Sequence, residues 1–298
     1  MIGHDVREVA CGRSDCVWAV AATLGESPLW LPGEDALYFL DIEAPAIHRL
    51  GASGEHASWT MPAKVGAIGQ RLSGGLIAAF EDGVFAVDLS TGVRSLLADP
   101  ESEIPGNRLN DGRCDAAGRF WFGSMDGDEK RPSGALYRLG GDHGVCSMDT
   151  GYVVANGPAF SPDGTILYES DTVRRIIYAF DVDTNGKLAD KREFARFGDG
   201  EGRPDGLTVD EEGGVWAGGW QGWALTRFAP DGARTMKVRL PTANVTASAF
   251  GGRNLDCLYI TTARKGLSSA ELVAQPLAGG LFAVDVGVRG MPPHSFHG

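Results

Sequence analysis

The chain has 298 residues, 43% of them apolar and 22% charged, with a net charge of −12. That apolar content supports a large core and excludes a mostly disordered chain, while an acidic balance without a basic stripe excludes electrostatic capture of nucleic acid. No apolar run reaches the ~18 residues of a membrane-spanning helix, so no membrane partner is expected.

Residues 1–14 read as an N-terminal extension, and MIGHDVREVACG lacks the apolar stretch of a signal peptide. Residues 15–298 read as one repeat-built domain. The five cysteines (Cys11, Cys16, Cys114, Cys146 and Cys257) are odd in number and scattered, which fits a reducing, cytoplasmic setting. Cys11 and Cys16 have no second pair of soft ligands nearby, so a zinc site there is not expected. A strand near Val17–Ala22 is expected to complete the last repeat.

Further along, short apolar runs alternate with polar residues and end at Gly, Pro, Asp or Asn corners, the signature of strands. Ala36–Asp41, Gly83–Asp88, Ala135–Leu139, Arg175–Asp181 and Gly280–Asp285 are predicted strands. Helical periodicity is confined to Leu267–Gln275, with Ser268 or Ser269 as N-cap. Glycine, at 43 residues, is twice as frequent as usual and sits at these corners.

One theme recurs six times: a polar corner, a strand, a tight turn and an aromatic-rich strand. Its copies begin at Pro28, Ala67, Asn110, Asn156, Asp205 and Asn244, roughly 39 to 49 residues apart. That spacing predicts an all-β, six-bladed propeller with four antiparallel strands per blade.

In such a ring, the residue opening each inner strand reaches the mouth of the central channel. Glu26, Asn110, Asn156 and Asp205 hold these places, and oxygen donors converging on an axis suit a hard divalent cation. Asn-Gly and Asp-Gly are also the commonest turn dipeptides, so spacing alone leaves the turn and the ligand readings both open. No G-x-S-x-G elbow and no helix-opening nucleotide loop is present. Trp216, Trp220 and Trp223 read as packing between blades, with Trp220 also placed to reach the rim. Arg264 and Lys265 read as a solvated turn.

Four motifs, LGESPLW (24–30), RLNDGRCDAAGRFWFGSM (108–125), NGPAFSPDGTILYESDT (156–172) and PDGLTVDEEGGVWAG (204–218), carry a resemblance. The chain resembles the regucalcin (senescence marker protein)/gluconolactonase family of sugar lactonases, and its NVTASAFGG…LYITTARKGLS segment resembles the bacterial sugar-acid lactonase branch. The resemblance implies one divalent metal, Ca, Zn, Mg, Mn or Fe(II), held by Glu26, Asn156 and Asp205. It further implies that Arg108, Asn110 and Asp128 face the substrate. The expected activity is metal-dependent hydrolysis of a sugar-acid lactone, with Asp205 as ligand and general base and no obligatory protein partner. The rival expectations are a calcium-binding regulatory propeller, or the same fold acting on another ester or a phosphotriester.

Overall fold

Strands joined by two- to five-residue corners pair with their sequence neighbours, because a short connection permits only an antiparallel hairpin. The computed structural model of the chain describes residues 6–298, with Ser14 by its backbone alone; residues 1–5, part of the expected extension, lie outside it. Six such antiparallel meanders form the blades of a β-propeller. Blade 1 runs Gly25–Leu31, Ala36–Asp41, Ala46–Gly51 and His56–Thr60. Blade 2 runs Val65–Arg71, Leu76–Phe80, Gly83–Asp88 and Val93–Ala98. Blade 3 runs Asn107–Cys114, Phe120–Asp126, Gly134–Leu139 and Val145–Tyr152. Blade 4 runs Ala155–Phe160, Ile166–Asp171, Ile176–Val182 and Leu188–Arg196. Blade 5 runs Arg203–Val209, Val215–Trp220, Ala224–Phe228 and Arg234–Arg239.

Blade 6 takes Val245–Gly251, Cys257–Thr262 and Leu281–Val284 from the end of the chain and Cys16–Trp18 from its beginning. Strand Cys16–Trp18 lies antiparallel to Leu281–Val284 and closes the ring. It covers the first two positions of the expected Val17–Ala22 strand; beyond it the chain leaves the blade edge and enters blade 1. Within the expected extension, Arg7–Ala10 adds a fifth, parallel strand outside blade 5. Ser295–Phe296 pairs in parallel with the inner strand of blade 2. The predicted strands Ala36–Asp41 and Gly83–Asp88 keep their limits, and the other three shift by one residue at one or both ends. The helix is Ser269–Ala274, capped by Ser268, whose side chain accepts from the Glu271 backbone.

The inner strands pack on one another in ring order, and Val245–Gly251 against Gly25–Leu31 completes the circle. Apolar layers between blades make the core, including fully buried Trp121 and Trp216. Each of these indoles donates to the aspartate that opens its own hairpin: Trp121 to Asp115 at 2.6 Å and Trp216 to Asp210 at 2.8 Å. The Asp-x-x-Gly-x-x-Trp spacing of the repeat is therefore a turn aspartate satisfying a buried indole N–H. Among the described residues, no helix is long and apolar enough to cross a membrane.

Candidate active site

Each inner strand carries one irregularity at the same height. Pairing with the second strand slips between Glu26 and Leu29, Val65 and Ala67, Leu109 and Gly112, Asn156 and Ala159, Pro204 and Leu207, and Val245 and Ser248. A bulge bends the strand and re-aims the side chains beside it, here at one end of the channel. Ser27 accepts a left-handed backbone (φ 48°) directly after Glu26, and Gly157 (φ 101°) does the same after Asn156, where a side chain would be strained.

Side chains two apart share a strand face. Four such pairs, Leu24 and Glu26, Arg108 and Asn110, Val154 and Asn156, Arg203 and Asp205, line one pocket of about 60 Å³. Met125, Glu129, Thr172, Trp220 and Lys265 complete most of its wall. Glu26, Asn110, Asn156 and Asp205 are all at most 5% exposed.

A chain of hydrogen bonds fixes the polar wall. Arg108 Nη1 donates to Asn110 Oδ1 at 2.7 Å, Asn110 Nδ2 to Asn156 Oδ1 at 2.8 Å, and Asn156 Nδ2 to Thr172 Oγ1 at 2.8 Å. Asn110 Nδ2 also reaches the Ala155 carbonyl at 2.9 Å. Behind the wall, Ser170 Oγ donates to the Asn156 carbonyl (3.2 Å) and the Asp205 carbonyl (3.0 Å), tying blade 4 to blade 5. Asp41 accepts from the Thr23 and Leu24 amides at 2.7 and 3.0 Å and so fixes the strand that carries Glu26.

The carboxylates are crowded. Burial, then the charges of Asp205 and Asp111, push Glu26 well above the usual carboxylate range. Burial and Asp111 do the same to Asp205. Asp111 itself is pushed up to about 6 by burial, against the lowering pull of Arg113 and of the Gly112 and Gly157 amides. Among the described residues, Asp205 makes no side-chain hydrogen bond and Glu26 accepts only from the Ser27 amide beside it. Two buried, under-bonded carboxylates and a carboxamide lining one pocket form a hard-oxygen donor set whose charge a divalent cation would satisfy. The residues therefore fit the expected metal. Among the described residues no group of three or more His, Cys, Asp or Glu that could hold a metal ion is gathered. All five cysteines are free, including Cys11 and Cys16.

The structure thus brings Glu26, Arg108, Asn110, Asn156 and Asp205 together and leaves one expected residue out. Asp128 points to solvent, pairs with Lys130 at 3.7 Å and does not line the pocket. Its neighbour Glu129 lines the pocket instead; the backbone turns at Glu129 (φ 58°), which reverses the side chains. Trp220 is half-buried and does reach the rim, whereas Trp216 is core and Trp223 exposed. Lys265, expected in a solvated turn, also lines the pocket. Its backbone is held by Thr23 and Asn244, and its Nζ lies 2.9 Å from Glu43. Sequence reasoning missed Arg203, although Arg-Pro-Asp205 repeats the spacing of Arg-Leu-Asn110. A larger cavity of about 330 Å³ opens at the other end of the channel, against Met291–His294; it lacks the Glu26–Asp205 pair.

Comparison with known proteins agrees with this fold. Residues 24–264 match the model of the SMP-30/Gluconolactonase/LRE-like region. The chain is 38% identical to a 6-deoxy-6-sulfogluconolactonase of Pseudomonas putida, covering 95% of this chain and 98% of that one. It is 36% identical to an L-arabinolactonase of Azospirillum brasilense over 93% of each. The crystal structure of a calcium-binding protein, regucalcin, from Agrobacterium tumefaciens superposes with a TM-score of 0.93 at 28% identity, covering 98% of this chain and 100% of that one. With these matches spanning nearly all of the propeller and its four site-bearing strands, the chain belongs to the SMP-30/gluconolactonase/LRE-like family.

Proposed function

We propose that the protein is a metal-dependent lactonase that opens a sugar-acid lactone to the aldonic acid in cytoplasmic carbohydrate catabolism. The observation that carries this reading is the convergence of Glu26, Asn156 and Asp205 with Arg108 and Asn110 on one small pocket. The sulfogluconolactonase and arabinolactonase relatives support the substrate class, and the calcium-binding neighbour supports the cation.

Glu26, Asn156 and Asp205 would hold the metal. Bound there, it would supply Lewis acidity to the lactone carbonyl and acidity to a nearby water. Asp205 has two carboxylate oxygens, so one remains able to take the proton as water adds to the carbonyl carbon. The ester C–O bond then breaks, and the ring oxygen leaves as a hydroxyl with that proton. Arg108 and Asn110 hold the sugar hydroxyls, with Arg108 pre-set by its bond to Asn110. Trp220 offers a flat face to the sugar ring. Only two formal negative charges would meet the cation, which leaves it electrophilic.

The test is a pH-stat assay on metal-stripped protein with Ca, Mg, Mn, Fe(II) or Zn restored singly, against glucono-, galactono-, xylono- and arabinonolactone. Metal-restored turnover that is lost in Glu26→Ala is the expected result. Tight metal binding with no turnover on any lactone would overturn the lactonase and favour a calcium-binding role.

A further inference from the structure

The two cations of the pocket other than Arg203 are already engaged by the protein. Arg108 donates to the Leu109 carbonyl and to Asn110, and Lys265 pairs with Glu43. Arg203 lines the same pocket and, among the described residues, makes no side-chain hydrogen bond or ion pair. Elsewhere in the chain, Arg113 donates to two carbonyls, Arg119 pairs with Asp115, and Arg227 with Asp210.

The position of Arg203 is defined by the fold. It stands two residues before Asp205 in blade 5, as Arg108 stands two residues before Asn110 in blade 3. The corresponding residues of blades 1 and 4, Leu24 and Val154, are apolar. Its strand register places it opposite Trp220. One wall of the pocket therefore presents an indole and, beside it, an unused guanidinium.

We propose that Arg203 is an anion subsite, and that the substrate is a sugar lactone carrying an oxyanion, carboxylate, sulfonate or phosphate, on the carbon chain away from the lactone carbonyl. This rests on the lactonase reading above. A guanidinium offers a planar fork of donors that fits such a group with two hydrogen bonds, a fit that a lone hydroxyl cannot match. A chain of charge −12 repels anions at long range, so an anionic substrate needs cations at the entrance. Arg108, Arg203 and Lys265 share the pocket with Glu26, Glu129 and Asp205, and Lys265 is paired with Glu43 and Glu129, which leaves Arg203 as the cation without an acidic partner among the described residues.

The experiment compares D-glucaro-1,4-lactone, which bears a carboxylate, with neutral D-glucono-1,4-lactone, on metal-loaded wild type, Arg203→Leu, Arg203→Gln and Arg203→Lys. The readout is the ratio of the two kcat/KM values, so a general loss of activity does not mimic the effect. A charge-assisted hydrogen bond of about 1.5–3 kcal/mol predicts that this ratio falls about 10- to 100-fold in Arg203→Leu and Arg203→Gln, with partial return in Arg203→Lys. An unchanged ratio in both neutral variants overturns the proposal and leaves the lactonase standing. Calorimetric binding of glucarate against gluconate runs in parallel. Arg203-dependent preference for glucarate without hydrolysis of either lactone would sink the lactonase and keep the subsite. Loss of both preference and hydrolysis would sink both.

Discussion

Asn110 of blade 3 and Asn156 of blade 4 meet side chain to side chain, Nδ2 to Oδ1, at 2.8 Å. The contact fixes the amide of Asn156 with its oxygen toward Asn110, because Asn156 Nδ2 is itself taken by Thr172. Asn110 is thereby the hinge between the residue expected to hold a metal and the arginine expected to hold a sugar. Asn110→Ala removes a donor from Asn156 and from the Ala155 carbonyl, and an acceptor from Arg108. We expect kcat/KM on the preferred lactone to fall about 10- to 100-fold. The Tm should drop by a few degrees, as unsatisfied buried groups cost about 1–3 kcal/mol. A variant with wild-type kinetics would show that the bridge positions nothing.

Glu43 supports the rim from behind. Burial alone would raise its pKa, but hydrogen bonds from Lys64 (2.6 Å) and Lys265 (2.9 Å) outweigh it and hold Glu43 down to about 2. A carboxylate depressed in the folded state contributes stability above its unfolded pKa, near 4.5, and loses it as pH falls toward 2. Both lysines are partly solvated, so the contribution is about 1–2 kcal/mol after screening. Glu43→Gln should therefore melt several degrees below wild type at pH 7, with the gap closing between pH 4.5 and 2. A gap that is constant with pH would mean that the ion pairs contribute nothing net.

The fold was legible because the propeller writes its period into the chain. Each turn aspartate and buried tryptophan of the hairpins recurs where the repeat puts it, as Asp115 with Trp121 and Asp210 with Trp216 show. Glu26, Asn110, Asn156 and Asp205 were legible because they open inner strands. Asp128 was not, because its orientation depends on a turn at Glu129 whose left-handed backbone no spacing rule reveals. Lys265 was hidden for another reason. It reaches the pocket from a loop tied to Thr23, 242 residues away in sequence, and such closure across the ring leaves no local pattern. Arg203 did leave a pattern, the arginine two before an opening polar residue, but its meaning needs the blades superposed.

Glu169 is fully buried between blades 3 and 4, and neither of its carboxylate oxygens has a hydrogen-bond partner among the described residues. Burial first, then Asp111 and Asp149, push its pKa well above the usual value, against a weaker pull from Lys191. An acid whose folded pKa is raised gives its stability below the unfolded pKa and loses it as pH climbs through the folded one. Glu169→Gln removes that loss. The Tm difference, variant minus wild type, should therefore grow from pH 5 to pH 9, whatever its sign at pH 5. A flat difference would mean that Glu169 is already ionised in the folded protein at pH 5 and that burial does not raise its pKa.

Ring closure gives the last prediction. Strand Cys16–Trp18 belongs to blade 6 by pairing, yet Trp18 stacks on His56 of blade 1, with centroids 4.0 Å apart, and meets Phe39 edge-on at 5.4 Å. One side chain thus spans the seam where the first and last blades join. Arg7–Ala10, by contrast, is mostly exposed and adds one exposed ion pair, Glu8 with Arg239 at 2.8 Å. Such a solvent-exposed pair contributes little. Trp18→Ala opens a gap in a half-buried aromatic cluster and should cost about 2–4 kcal/mol, below the value for a fully buried tryptophan. Deleting residues 1–10 should cost less. Denaturant unfolding of the two variants checks this order. The reverse order would locate closure in the outer parallel strand rather than at the seam tryptophan.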